Sequence, residues 1–136
     1  MEERFIEFKG GPRRPRQKRT RVTLNNRGVF FLNTVAVAAL KKAEAVKLFY
    51  DPHKQVIGLQ PTIALEPNSF PFRVKDRNLN RIINAVSFCK HFDIKVLRTV
   101  EFNNVQTGED GIMRLRLTDT TVIGLEPDGR KGARQI

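Results

Sequence analysis

The chain has no tryptophan, one tyrosine, two histidines and one cysteine among its 136 residues. A single cysteine, Cys89, excludes an intrachain disulfide and fits a reducing compartment. One cysteine with His53 and His91 far apart in sequence does not supply the ligand spacing of a zinc site, so no metal is expected. No apolar run reaches the roughly 20 residues needed to cross a bilayer, so no membrane association is expected. The amino terminus, MEERFIEFKGG, lacks the basic-then-apolar order of a secretory signal, and a cytoplasmic protein is the simplest expectation. Neither a glycine-rich phosphate loop nor a nucleophile elbow is present, and no cofactor is expected. His53 falls in a polar turn and His91 at a helix end, positions that suit surface or capping roles. Without a constellation of acid, base and nucleophile, we expect no enzyme.

What the chain does have is positive charge, unevenly placed. The net charge is +11, yet residues 9–21, KGGPRRPRQKRTR, hold seven cations and no acid. The remainder carries 18 basic against 14 acidic residues. Prolines and glycines in that stretch oppose regular structure, so residues 1–20 read as a flexible basic arm. Within it RFIEF reads as a short anchoring or partner-binding patch. Residues 128–136, DGRKGARQI, read as a second flexible tail. Residues 21–127 are expected to form a single domain.

That domain is written twice. RVTLNNRGVFFLN reads as two strands around an Asn-Gly turn, because Asn and Gly tolerate positive φ. Asn33 suits a helix N-cap, followed by a helix over about residues 34–43 with Val35, Ala38, Ala39 and Leu40 inward and Lys41 and Lys42 in its last turn. VKLFYD and QVIGLQP then alternate as strands on either side of a polar turn. PFRVKDRNLN and RIIN repeat the first strand pair, with Asn84 as the cap and a helix over residues 85–92. RTVEFN and GIMRLRLT repeat the second, with Met113, Leu115 and Leu117 inward and Arg114 and Arg116 outward. The offset is 51 or 52 residues: Arg21-Val22 matches Arg73-Val74, and Leu32-Asn33 matches Ile83-Asn84. TTVIGLEP echoes VIGLQP but lies outside this register. Cys89 falls opposite Ala38, a small inward position, and reads as a buried core thiol.

Neither unit buries its apolar faces alone, but two units pooling them make one core. The expected fold is mainly β with two short helices. It is a pseudo-twofold β-barrel or sandwich built from two strand–strand–helix–strand–strand repeats, residues 21–62 and 72–118, joined by TIALEPNSF.

The string TLNNRG…LN…AL…EAV.L.YD….IGL.P resembles an uncharacterised family of small bacterial proteins, which brings no activity with it. The element order also resembles the AbrB/MazE-type swapped-hairpin proteins, with Arg27-Gly28 as the glycine–basic turn, Leu40 ending the short helix and Val46 to Asp51 as the alternating strand. The order of the turn residues is reversed here, and the isoleucine-proline before the helix is absent. Those proteins are usually homodimeric DNA binders. The resemblance therefore implies either one chain acting as a pseudo-dimer or a homo-oligomer, and a nucleic-acid-binding role.

Charge supports the same expectation. Seven cations dominated by arginine can neutralise phosphates and release counterions. The expected nucleic-acid-binding residues are Arg13, Arg14, Arg16, Lys18, Arg19 and Arg21 of the arm. With them come Arg27 and Arg73, Lys75 and Arg77 around the two hairpin turns, set on one side of the molecule, and the outward Arg114 and Arg116. DNA is placed before RNA, although sequence does not separate them. The alternative is an interaction or assembly module whose arm binds an acidic protein. Most of the ten Phe read as inward, Phe30 and Phe49 being the exceptions; aromatics interleaved with cations on exposed strands would favour single strands.

Overall fold

The computed structural model describes residues 3–9, 11 and 19–123. Arg13, Arg14, Arg16 and Lys18 of the arm, and the tail over 128–136, lie outside the described residues.

The first hairpin, β1 (Val22–Leu24) and β2 (Val29–Leu32), turns at residues 25–28. Helix α1 (Thr34–Ala39) follows, then a second hairpin of β3 (Ala45–Asp51) and β4 (Val56–Thr62). After the linker come β5 (Phe70–Pro71), β6 (Arg73–Val74) and β7 (Arg81–Asn84), then helix α2 (Val86–Phe92). The chain closes with β8 (Val100–Phe102), β9 (Gln106–Thr107), β10 (Met113–Arg116) and β11 (Thr120–Val122).

These strands form two antiparallel sheets, one ordered β11-β8-β1-β2-β7-β6 and the other β5-β3-β4-β10-β9. The fold is therefore mainly β with two short helices. The sheets do not close into a barrel; each keeps two free edges. They share one core, as expected of a sandwich: Val22, Leu24, Phe30, Leu32 and Ile83 from the first sheet pack with Val46, Ile57, Leu59, Met113 and Leu115 from the second. Alternation along each strand supplies both inner faces.

The repeated element order is present and the pairing is repeated in part: hairpins β6–β7 and β9–β10 answer β1–β2 and β3–β4, and β2 meets β7 as β4 meets β10. β3 pairs with β4 along seven residue pairs, whereas β8 leaves β10 and pairs instead with β1 and β11. β10 crosses to β4, setting Met113 opposite Leu59 and Leu115 opposite Ile57, all four fully buried. The long polar connection after Asn103 makes this crossing possible, and β11 takes the place beside β8 that β10 would otherwise fill.

Several local expectations shift by a residue. Asn33 caps α1, its Oδ1 accepting from the Ala36 N–H at 3.0 Å. In the second half Asn84 extends β7, and Ala85 takes the cap position without a side-chain bond. Helix equivalence is therefore offset by 52, where the inward residues Leu32 and Ile83 are offset by 51. Cys89 accordingly corresponds to buried Val37 rather than to Ala38, which is exposed with Ala39. The α1 residues that enter the core are Ala36 and Val37, with Leu40 at its end. Lys41 and Lys42 adopt positive φ, which ends the helix before they can join its last turn. Phe72, not Val74, takes the core place of Val22: Phe72 is 4% exposed and Val74 53%.

Candidate nucleic-acid interface

The outer face of the first sheet is fixed by register. Thr121, Glu101, Thr23, Phe31, Ile82 and Arg73 stand in one cross-strand row. Phe31, not Phe30, is the outward aromatic; Phe30 is fully buried, because Val22 and Leu24 inward oblige Leu32 and Phe30 opposite them to point the same way. The Lys75 Nζ lies 5.0 Å from the Phe31 ring centroid, and the Arg21 guanidinium lies 6.0 Å from it. Both distances suit attraction between a cation and the ring face.

Around this ring is a surface depression of about 510 Å³ lined by Arg21, Arg27 and Lys75 together with Thr23, Asn25, Val29, Phe31, Ile82, Thr99 and Ile123. Among the described residues no carboxylate lines it. The nearest acid in the row is Glu101, which is already engaged: it accepts from Arg19 at 2.7 Å and from Arg21 at 3.3 Å. Asn33 anchors the same segment. Its Oδ1 accepts from the Arg21 N–H at 3.1 Å and its Nδ2 donates to the Arg19 carbonyl at 2.6 Å. The basic arm thus joins the folded chain at the rim of this face.

The two hairpin turns do not lie on one side. Val29 pairs with Asn84 and Leu32 with Arg81, so the turn at 25–28 and the turn at 76–79 sit at opposite ends of the sheet. Four residues of strand, on the order of 13 Å, lie between them. Arg27 reaches the depression from one end and Lys75 from the other, while Arg77 is exposed at the second turn.

Arg114 and Arg116 are on the second sheet, away from Phe31. Arg114 is held by Asp110 through two bonds, Nη1 to Oδ1 at 3.1 Å and Nη2 to Oδ2 at 2.8 Å. These bonds, aided by the Ile112 N–H, lower the Asp110 carboxyl to about 2 and raise Arg114. Arg116 lines a different depression with Phe49 and Lys54. Phe49 is outward, as expected, and covers Gly58 across the strand pair. Asp119 is likewise lowered, first by the side-chain amide of Asn104 and then by that of Asn103.

Cys89 is 6% exposed, and burial raises its thiol pKa, as suits a core position. Among the described residues no cluster of three or more metal-ligating side chains occurs, and no helix is long and apolar enough to cross a membrane. No family model, curated protein or solved structure matches the chain. Sequence reasoning missed Phe31 and Glu101. The signal for Phe31 was available in the Asn25 to Gly28 turn, whose length sets Leu24 opposite Phe30 and so turns Phe31 outward.

Proposed function

We propose that this chain is a non-enzymatic nucleic-acid-binding protein, a small regulator or accessory factor, whose binding face is the outer surface of the first sheet. The observation that supports this most is the depression around Phe31, with Arg21, Arg27 and Lys75 and no acid among the described residues of its lining. An aromatic ring offers a base a stacking partner and the cations offer phosphates a counter-charge, the combination used by single-strand binders. Arg13, Arg14, Arg16, Lys18 and Arg19 of the arm add phosphate contacts that carry no sequence information. Arg73 and Arg77 extend the same face, whereas Arg114 and Arg116 contribute only if the ligand wraps to the other sheet. DNA remains placed before RNA.

Binding titrations across salt, with single-stranded DNA, RNA, duplex DNA and polyglutamate, test this. The expected result is salt-sensitive binding to nucleic acid, with a log–log slope of about −5 on duplex DNA if six phosphates are engaged. Deleting residues 1–20 should flatten that slope. Phe31→Ala should weaken single-strand binding about tenfold, the scale of one lost base–aromatic stack, with the slope unchanged. Binding to polyglutamate alone would favour the second reading, an interaction module. That reading has its own support: Phe5, Ile6 and Phe8 are 82–94% exposed between Arg4 and Lys9. Absence of salt-sensitive binding to any nucleic acid would overturn the first.

A further inference from the structure

The two hairpin turns of the first sheet are built alike. In the first, Asn25 Oδ1 accepts from the N–H groups of Arg27 and Val29, and the Gly28 N–H donates to the Asn25 carbonyl. In the second, Asp76 Oδ1 accepts from the N–H groups of Asn78 and Asn80, and the Leu79 N–H donates to the Asp76 carbonyl. The fourth residue has positive φ in both, 85° at Gly28 and 64° at Leu79. Glycine takes that conformation freely, and a bulky side chain rarely does. Of the seven non-glycine residues with positive φ among the described residues, Leu79 alone is apolar.

Leucine therefore occupies a position whose backbone favours glycine, and it gains nothing from burial there: Leu79 is 62% exposed. Side-chain bonds from Asp76, including one from the Asn80 Nδ2 at 3.2 Å, hold the loop in this shape. Backbone strain maintained by its surroundings clusters at ligand clamps and switch regions. Its neighbours set the partner. Lys75 and Arg77 precede it by four and two residues, Lys75 reaches back over Phe31, and Ile82, three residues on, pairs with Phe31.

We propose that Leu79 is an apolar wedge that contacts unpaired bases at the end of the Phe31 face, and that the ligand is single-stranded nucleic acid or a duplex with an unpaired step. This rests on the nucleic-acid reading above. Cations beside an exposed leucine suit a polymer that presents phosphates and open base faces together, and apolar side chains inserted at base steps are an established contact mode.

Leu79→Gly isolates the wedge, because it relaxes the backbone while removing the side chain. The intact chain and the variant would be compared on single-stranded DNA, single-stranded RNA, fully paired duplex and a duplex with one mismatch, each carrying a 2-aminopurine. The expected result is a melting temperature equal to or above that of the parent. Affinity for single-stranded and mismatched oligonucleotides should fall five- to tenfold, with the salt slope unchanged and little change on the paired duplex. The 2-aminopurine fluorescence rise caused by the parent should shrink with the variant. The two single-stranded arms decide between DNA and RNA. If Leu79→Gly binds every ligand as tightly as the parent while Phe31→Ala does not, the wedge is wrong and the binding face stands. If the parent binds none of them, both fail. Leu79→Ala, which keeps the strain, should lose affinity to a similar degree; a loss seen with glycine alone would assign the effect to loop flexibility and overturn the wedge.

Discussion

The turn at 25–28 and the turn at 76–79 share their hydrogen bonds and differ in what the fourth residue faces. At Gly28 a Cβ would stand 3.2 Å from the Val86 Cα and 3.6 Å from the Cys89 Sγ, so α2 packs directly on the turn. At Leu79 the side chain is mostly in solvent. One turn is glycine because α2 lies against it; the other has room for leucine, whose side chain is mostly in solvent. A repeated backbone motif has been drawn inward in one copy and left available for contact in the other. The caps divide in the same manner. Asn33 is buried and holds three backbone groups, two of the arm and one of α1. Asn84 is exposed, with only a 3.4 Å contact to the Val86 N–H.

Exchanging the two turn residues breaks the comparison most severely. Gly28→Leu combines the left-handed backbone cost with a side chain forced against α2, and should lose about 3 to 4 kcal/mol in chemical denaturation. Leu79→Gly should fall between no change and about 1 kcal/mol of stabilisation, relief of the backbone being offset by added freedom in the unfolded chain. Equal losses from both would remove the distinction.

The cap comparison comes next. Asn33→Ala removes a helix cap and leaves the Arg21 N–H and Arg19 carbonyl without their partner, a loss of about 2 to 3 kcal/mol. Asn84→Ala should change stability by less than about 0.5 kcal/mol. Matching denaturation curves for the two variants would mean that the second asparagine caps after all.

The smallest effect is in the connection that the first half lacks. Asp110 should titrate at about 2 by carboxyl-carbon NMR, and Arg114→Ala should raise it toward the ordinary aspartate range, the Ile112 N–H still holding it somewhat lower. The sign follows from a folded pKa below the unfolded one. The ion pair's contribution is complete above about pH 4 and is lost as pH falls through about 2. An unshifted Asp110 in the intact chain would show that this connection is loose in solution.

Much of this was legible in the sequence. Turn chemistry at Asn25 to Gly28 and Asp51 to Lys54, the Asn33 cap and the alternation of Met113 and Leu115 depend on near neighbours, and near neighbours are what a sequence displays. What was lost depended on pairing across the molecule. RTVEFN carries the same alternation whether β10 or β11 lies beside it, so the crossing of β10 to β4 left no local mark. The extra residue Asn84 looked like a cap because Asn33 is one; only the inward position of Ile83 fixes where β7 must stop. The basic residues were visible in the sequence as charges, but their division between two sheets follows from register. Phe31 was hidden by an equally aromatic neighbour, and one residue of parity decides which ring meets solvent.

An open sandwich has borders that a barrel would not, and how they are finished bears on solubility. The four borders are β6, β11, β5 and β9, of two, three, two and two residues. A foreign strand needs a run of unpaired N–H and C=O groups to extend a sheet, and none of these offers more than three residues of it. Pro71 shortens the offer at β5 still further, because it has no N–H to give. The longest strands, β3 and β4, pair with each other along their whole length, but β5 covers only Ala45 and Val46 of β3, so residues 47–51 keep an open side. Among the described residues the longest open edge is therefore residues 47–51 of β3, and there Lys47 and Asp51 put charge where a second strand would have to add, away from the half-buried Phe31 face of the other sheet.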